Sequence, residues 1–122
     1  MSELKVLLID DEQDLVSALV ERLGYRGVKS KYALNGQQAI DMMQKESFDA
    51  VVLDLKLPGM SGAQVHDIIK KQYPGLPILL ITGHGAPPDQ LGFKPGEDYD
   101  FLEKPVSIET LLERIREAVK KR

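Results

Sequence analysis

The stretch VVLDLKLPGMSG (Val51–Gly62) decides how this chain folds. Three apolar residues lead into Asp54, and Pro58, Gly59 and Gly62 follow within eight positions. A continuous apolar run closed by turn residues reads as a strand buried on both faces, the kind that parallel sheets contain. Proline and glycine then prevent that strand from continuing. A lone carboxylate therefore stands at the end of a rigid, buried strand.

Working outward, strands and helices alternate. KVLLI (Lys5–Ile9) is a second buried strand. Leu15, Val16, Leu19, Val20 and Leu23 recur at helical spacing, with Gly24 as the expected stop. Val28–Leu34 alternates apolar and polar, the pattern of a strand near a sheet edge. A helix is predicted over Gln37–Lys45 with Ala39, Ile40 and Met43 inward, followed by the strand Asp49–Leu53. Val65, Ile68 and Ile69 mark the next helix, ended by Tyr73-Pro74-Gly75. Pro77–Ile81 and Tyr99–Leu102 are the remaining strands. Ser107 caps a last helix with Ile108, Leu111, Leu112, Ile115, Ala118 and Val119 on one face. This order predicts a doubly wound α/β fold: a five-stranded parallel sheet between two helical layers, joined by right-handed crossovers. No linker or repeat interrupts it, so residues 1–122 form one expected domain.

Composition narrows the chemistry. Sixteen basic and nineteen acidic residues give a formal net charge of −3, without the basic patch that direct nucleic-acid binding needs. There is no cysteine, which excludes disulfides and thiolate metal sites. The longest apolar runs, Val6–Ile9 and Ile78–Ile81, are far too short to cross a membrane. The first residues have no signal-peptide layout, since their apolar run ends in acids. The expectation is a cytoplasmic domain without membrane contact.

Ligands of such sheets sit beyond the carboxyl ends of the strands. Here those ends carry Asp10-Asp11-Glu12, Asp54, Thr82 and Glu103-Lys104-Pro105. Taken singly, each is ordinary: an aspartate after a strand is usually a turn residue, and acids before a helix favour its dipole. Taken together, they bring three aspartates, a hydroxyl and an ammonium to one crevice. Clustered carboxylates resist ionisation unless a cation joins them. With only oxygen ligands on offer, that cation is a hard one, Mg²⁺ first. A metal, Lys104 and Thr82 around Asp54 would suit a phosphoryl group on that carboxylate, with Asp54 as nucleophile.

The motifs LLIDDE (Leu7–Glu12), VVLDLKLPGMSG, LLITGHG (Leu79–Gly85) and DYDFLEKP (Asp98–Pro105) resemble those of the receiver domains of two-component response regulators, over nearly the whole chain. Their wording is most similar to receivers attached to AAA+ transcriptional activators. The resemblance implies a flavodoxin-like fold that accepts phosphate from a histidine kinase or phosphotransfer protein and controls an output domain or partner. It implies Asp54 as the phosphoacceptor, Asp11 as a direct Mg²⁺ ligand, Asp10 as its water-mediated partner and the Lys56 carbonyl as a further ligand. It also implies Thr82 as the switch hydroxyl, Phe101 as the switch aromatic, Lys104 as the phosphoryl-binding lysine, and a cis peptide at Lys104-Pro105. The turn at Pro58-Gly59 leaves the Lys56 carbonyl free to face a metal.

Three other readings compete. A receiver-like module that binds partners without phosphate would keep the fold, but such modules typically lose one of the site residues retained here. The other two are enzymes, a flavodoxin-like redox protein or a phosphatase with an aspartyl nucleophile. A dehalogenase-type phosphatase would want D-x-D where this chain has DDE, and a nucleotide fold would want a glycine loop after the first strand. His66, on a polar helix face, is expected to be exposed, and the basic end Lys120-Lys121-Arg122 to be a solvated helix terminus. One departure from the family concerns Ala86–Gly96. There Pro87, Pro88, Gly92, Pro95 and Gly96 predict a loop or short frayed helix where the family places a full one.

Overall fold

The computed structural model describes residues 4–83 and 100–121, and the expectation for residues 86–96 lies outside them. Among the described residues nine elements follow in order. They are β1 (Lys5–Ile9), α1 (Gln13–Tyr25), β2 (Lys29–Ala33), α2 (Gly36–Lys45), β3 (Ala50–Asp54), α3 (Gly62–Gln72), β4 (Ile78–Thr82), β5 (Asp100–Glu103) and α4 (Ile108–Lys120). The strands form one parallel sheet in the order β2-β1-β3-β4-β5. This is the flavodoxin-like winding, in which the direction of strand addition reverses between β1 and β3 and opens a crevice there.

Burial explains the sequence pattern. Every residue of β3 and β4 is buried, because a central parallel strand has helices over both faces. Alternate side chains divide between two cores. Leu7, Ile9, Val51, Leu53 and Leu80 pack beneath α2 and α3. Val6, Leu8, Val52, Leu79 and Ile81 pack beneath α1 and α4. Each fully buried side chain of this kind contributes about 1.5–3 kcal/mol. At the edge, β2 reads KSKYA and exposes Lys29 and Lys31, charges that discourage pairing with another sheet.

Two expectations need correction. Gly24 does not stop α1: the helix runs on to Tyr25, and the chain turns back only at Gly27, whose N–H bonds to the Gly24 carbonyl. A glycine inside a helix is tolerated when packing on Val16 and Leu23 holds the rest. His66 is not exposed, at 8% accessibility. The buried face of α3 consists of Gly62, Val65, His66 and Ile69, so one helical step broadens the apolar stripe onto the histidine and leaves Ile68 half-buried.

Gly62, the first residue of α3, has a specific steric role. A Cβ there would lie 2.6 Å from the Leu55 Cα and 3.0 Å from its carbonyl oxygen. Helix α3 therefore rests directly on the backbone that follows Asp54. Gly24, by contrast, has nothing within 4 Å of a Cβ. Gly24→Ala should raise stability by about 0.5–1 kcal/mol through lost unfolded-state entropy and better helix propensity. Gly62→Ala should lower it by about 1–3 kcal/mol through overpacking. Urea unfolding of both variants measures this, and shifts of the same sign would contradict the packing described.

Candidate functional site

Four elements deliver the site. β1 ends at Ile9 and hands Asp10 to the crevice, where the Asp10 N–H still bonds to the Ala33 carbonyl at 3.0 Å. β3 ends on Asp54 itself, and β4 on Thr82. After β5, Lys104 is held by its own N–H to the Thr82 carbonyl at 2.9 Å, and its peptide bond to Pro105 is cis, as the resemblance implies. Because these backbones sit within or just beyond the sheet ladder, the side chains are fixed by the best-packed part of the molecule.

Asp54 is 3% exposed and both of its oxygens are engaged. Oδ1 accepts the Lys56 N–H at 2.9 Å, which closes a tight turn directly after the strand. Oδ2 accepts from Lys104 Nζ at 2.7 Å. The turn is continued at Gly59, whose φ of 75° only glycine adopts freely. Asp10, 6% exposed, is built alike: its Oδ1 accepts the Glu12 N–H at 2.9 Å, and its Oδ2 lies 3.6 Å from Lys104 Nζ. Glu12 Oε1 is 3.3 Å from the same ammonium.

One cation thus serves three carboxylates, and the balance shows in their proton affinities. Burial raises the Asp10 pKa above its ordinary value; the Glu12 N–H works against this, and the Asp54 charge adds to the rise. Burial pulls the Lys104 ammonium down, but its hydrogen bond to Asp54 and the charges of Asp54 and Asp10 outweigh that and raise it. The two directions agree. Lys104 is over-supplied with anions and Asp10 is under-supplied with cations.

Asp10, Glu12 and Asp54 can each place an oxygen within 4.8 Å of the others, a spacing that a hard, oxygen-coordinated cation can bridge. Asp11 stands apart. It is exposed, while the turn accepted by Asp10 brings Glu12 back over the crevice. Glu12 was visible in the sequence as the third acid after β1, but nothing in its spacing marked it as a contact of Lys104, 92 residues away. Thr82 is buried at 6%, one residue beyond the partner of Asp54 in β4. Phe101 pairs with Leu80 and packs half-buried against the core beneath α2 and α3. The Lys56 side chain is exposed; its backbone, not its ammonium, takes part.

Comparison with known proteins identifies the family. Residues 6–116 match the family model of the response regulator receiver domain. An NtrX-like response regulator of Rickettsia conorii is 35% identical over 114 residues, covering 92% of this chain and 24% of that protein. The C4-dicarboxylate transport transcriptional regulatory protein DctD of Pseudomonas aeruginosa is 36% identical over 122 residues, covering 99% of this chain and 26% of that protein. The chain therefore spans about a quarter of the length of these curated relatives. A CheY-like receiver structure from Methanospirillum hungatei superposes with a TM-score of 0.87 at 25% identity, covering 98% of this chain and 96% of that one. NtrX of Brucella abortus superposes at 0.87 and 29% identity, covering 98% of this chain and 28% of that one.

The raised Asp10 pKa has a definite sign. Its contribution to stability is fully present below the ordinary aspartate value of 3.8 and is lost as the pH rises through the folded-state value. At neutral pH the ionised Asp10 therefore weighs against the metal-free fold. Asp10→Asn removes that charge and keeps an acceptor for the Glu12 N–H. In EDTA at pH 7 its urea midpoint should exceed that of the wild type, with the gap narrowing as the pH falls toward 4. A midpoint below wild type at every pH would contradict the electrostatic reading.

Proposed function

The chain belongs to the response regulator receiver family, whose members switch conformation on phosphorylation, and from that premise we propose that Asp54 is the phosphoacceptor. The observation that supports the assignment is the orientation of its carboxylate. The Lys56 N–H and the Lys104 ammonium hold its two oxygens at the mouth of the crevice between β1 and β3. A phosphohistidine of a histidine kinase or phosphotransfer protein is the proposed donor. A carboxylate oxygen of Asp54 forms the new bond to phosphorus as the P–N bond to imidazole breaks. The electron pair leaves on the ring nitrogen, which takes a proton. Lys104, already 2.7 Å from Oδ2, is placed to follow the charge onto a phosphoryl oxygen.

The acidic group fits Mg²⁺. Its donors are all oxygen, they approach within 4.8 Å of one another, and Asp10 lacks a sufficient counter-charge. As the resemblance implies, Asp54, Asp11 and the Lys56 carbonyl would hold the ion, with Asp10 acting through a water. When bound, the ion neutralises charge between the nucleophile and the incoming phosphoryl oxygens.

Phosphorylation would be coupled to shape through Thr82 and Phe101. The buried Thr82 hydroxyl stands one position past the β4 residue that pairs with Asp54, and a phosphoryl oxygen there would draw it inward. Phe101, half-buried on the adjacent strand, would fill the space vacated. Without the phosphoryl group the shifted arrangement has no compensating contact, so it stays a minor state. The molecule is then a switch altered by its own reaction, not a catalyst of someone else's. Its relatives include transcriptional regulators about four times its length, which supports control of an AAA+ activator module or a separate partner protein. The final helix α4 offers the partner surface. Among the described residues no helix is long and apolar enough to cross a membrane. A cytoplasmic setting goes with the reading, since phosphohistidine donors are made there from ATP.

Incubation with acetyl phosphate and MgCl₂, followed by mass spectrometry, tests the assignment. One phosphoryl adduct is expected on Asp54, absent in Asp54→Asn and in EDTA. Undiminished labelling of Asp54→Asn, or labelling that ignores EDTA, would contradict it.

A further inference from the structure

Glu12 occupies the position just before α1, where Ser, Thr, Asp or Asn would ordinarily cap the helix. Its side chain makes no capping hydrogen bond. Its carboxylate is instead turned toward Lys104, at 3.3 Å from Nζ. Of the three carboxylates around that ammonium, Asp10 and Asp54 are buried, whereas the Glu12 side chain is 62% exposed. Glu12 and Lys104 together rim a hollow of about 430 Å³ whose apolar wall includes Leu15, Ile81 and Val106. Glu12 is thus the one carboxylate of these three that is open to solvent.

A carboxylate in this position does two separable things. By holding Lys104 it delays every donor alike, since the ammonium must be released to a phosphoryl oxygen. By its charge it repels donors in proportion to their own negative charge. An exposed ion pair is a weak hold. Repulsion between unit charges several ångströms apart in a water-like medium amounts to about a threefold change in rate per donor charge, and salt screens it.

We propose that Glu12 is a specificity-determining residue of the phosphorylation reaction, a charge filter at the mouth of the crevice that selects phosphodonors by net charge. The proposal rests on the reading of Asp54 as phosphoacceptor. A phosphoryl group presented on a protein imidazole, whose ring can carry a compensating proton, would pass more readily than a small dianionic acyl phosphate.

Two small donors of different charge separate the effects. Acetyl phosphate is a dianion near pH 7 and phosphoramidate a monoanion. Phosphorylation rates of Asp54 are measured by mass spectrometry at saturating MgCl₂ for the wild type, Glu12→Gln and Glu12→Asp. At low ionic strength, Glu12→Gln should raise the acetyl phosphate rate about threefold more than the phosphoramidate rate. Glu12→Asp, which retains the charge, should keep the wild-type ratio. In about 0.5 M NaCl the Debye length falls to roughly 4 Å and the ratios of the three proteins should converge. Equal acceleration of both donors by Glu12→Gln, or a ratio change indifferent to salt, would overturn the filter. Failure of both donors to label wild-type Asp54 would overturn the phosphoacceptor reading itself, an outcome distinct from an unchanged ratio.

Discussion

Among the described residues a single ammonium, Lys104, stands among the carboxylates of Asp54, Asp10 and Glu12 at 2.7, 3.6 and 3.3 Å. One positive charge cannot neutralise three negative ones, and two of those are buried where water gives little help. The described side chains therefore leave the site electrostatically incomplete. That deficit is useful. It suits the group to a hard divalent cation, and it leaves Asp54, the proposed nucleophile, beside a lysine that can follow an incoming charge. A fully neutralised crevice would be more stable and less reactive.

The rest of the fold keeps these charges from relaxing apart. Asp54 is the last residue of a strand buried throughout, and the next residue, Leu55, is tied by its N–H to the Ile81 carbonyl of β4 at 3.0 Å. Gly62 lets α3 settle on the Leu55 backbone, so the turn after Asp54, the proposed phosphoacceptor, is clamped between a helix and a strand. The sheet order places β1 beside β3, which brings Asp10 and Asp54 together although 44 residues separate them in the chain. Lys104 reaches the same point from β5 at the other edge, since its backbone continues the ladder on Thr82. Apolar burial on two faces thus holds like charges in proximity that would otherwise be unfavourable.

Much of this was legible because the relevant signals are local. Apolar runs such as VVL and ILLI mark central strands without knowledge of their neighbours, and strand order then gathers Asp10, Asp54, Thr82 and Lys104 at one end. What escaped depended on direction rather than position. His66 looked polar-facing because its neighbours Gln64 and Asp67 are polar, yet α3 turns it inward beside Val65 and Ile69. Glu12 read as the third acid of a run, and only the turn closed by its own N–H on Asp10 brings its carboxylate to Lys104. That same turn leaves Asp11, which the resemblance implied as a direct ligand, exposed outside the group of three. Side-chain direction after a strand end is set by one or two backbone dihedrals, and sequence patterns do not carry that information.

The central claim is that the carboxylates around Lys104 form a deficit that a divalent cation fills. Thermal unfolding of the wild type and of Asp54→Asn across a MgCl₂ series, with ionic strength held constant by NaCl, tests it most directly. A cation bound only by the folded state should raise the wild-type Tm steadily with the logarithm of its concentration. Asp54→Asn should lose most of that rise. A wild-type Tm indifferent to MgCl₂, or an equal rise in both proteins, would contradict the account.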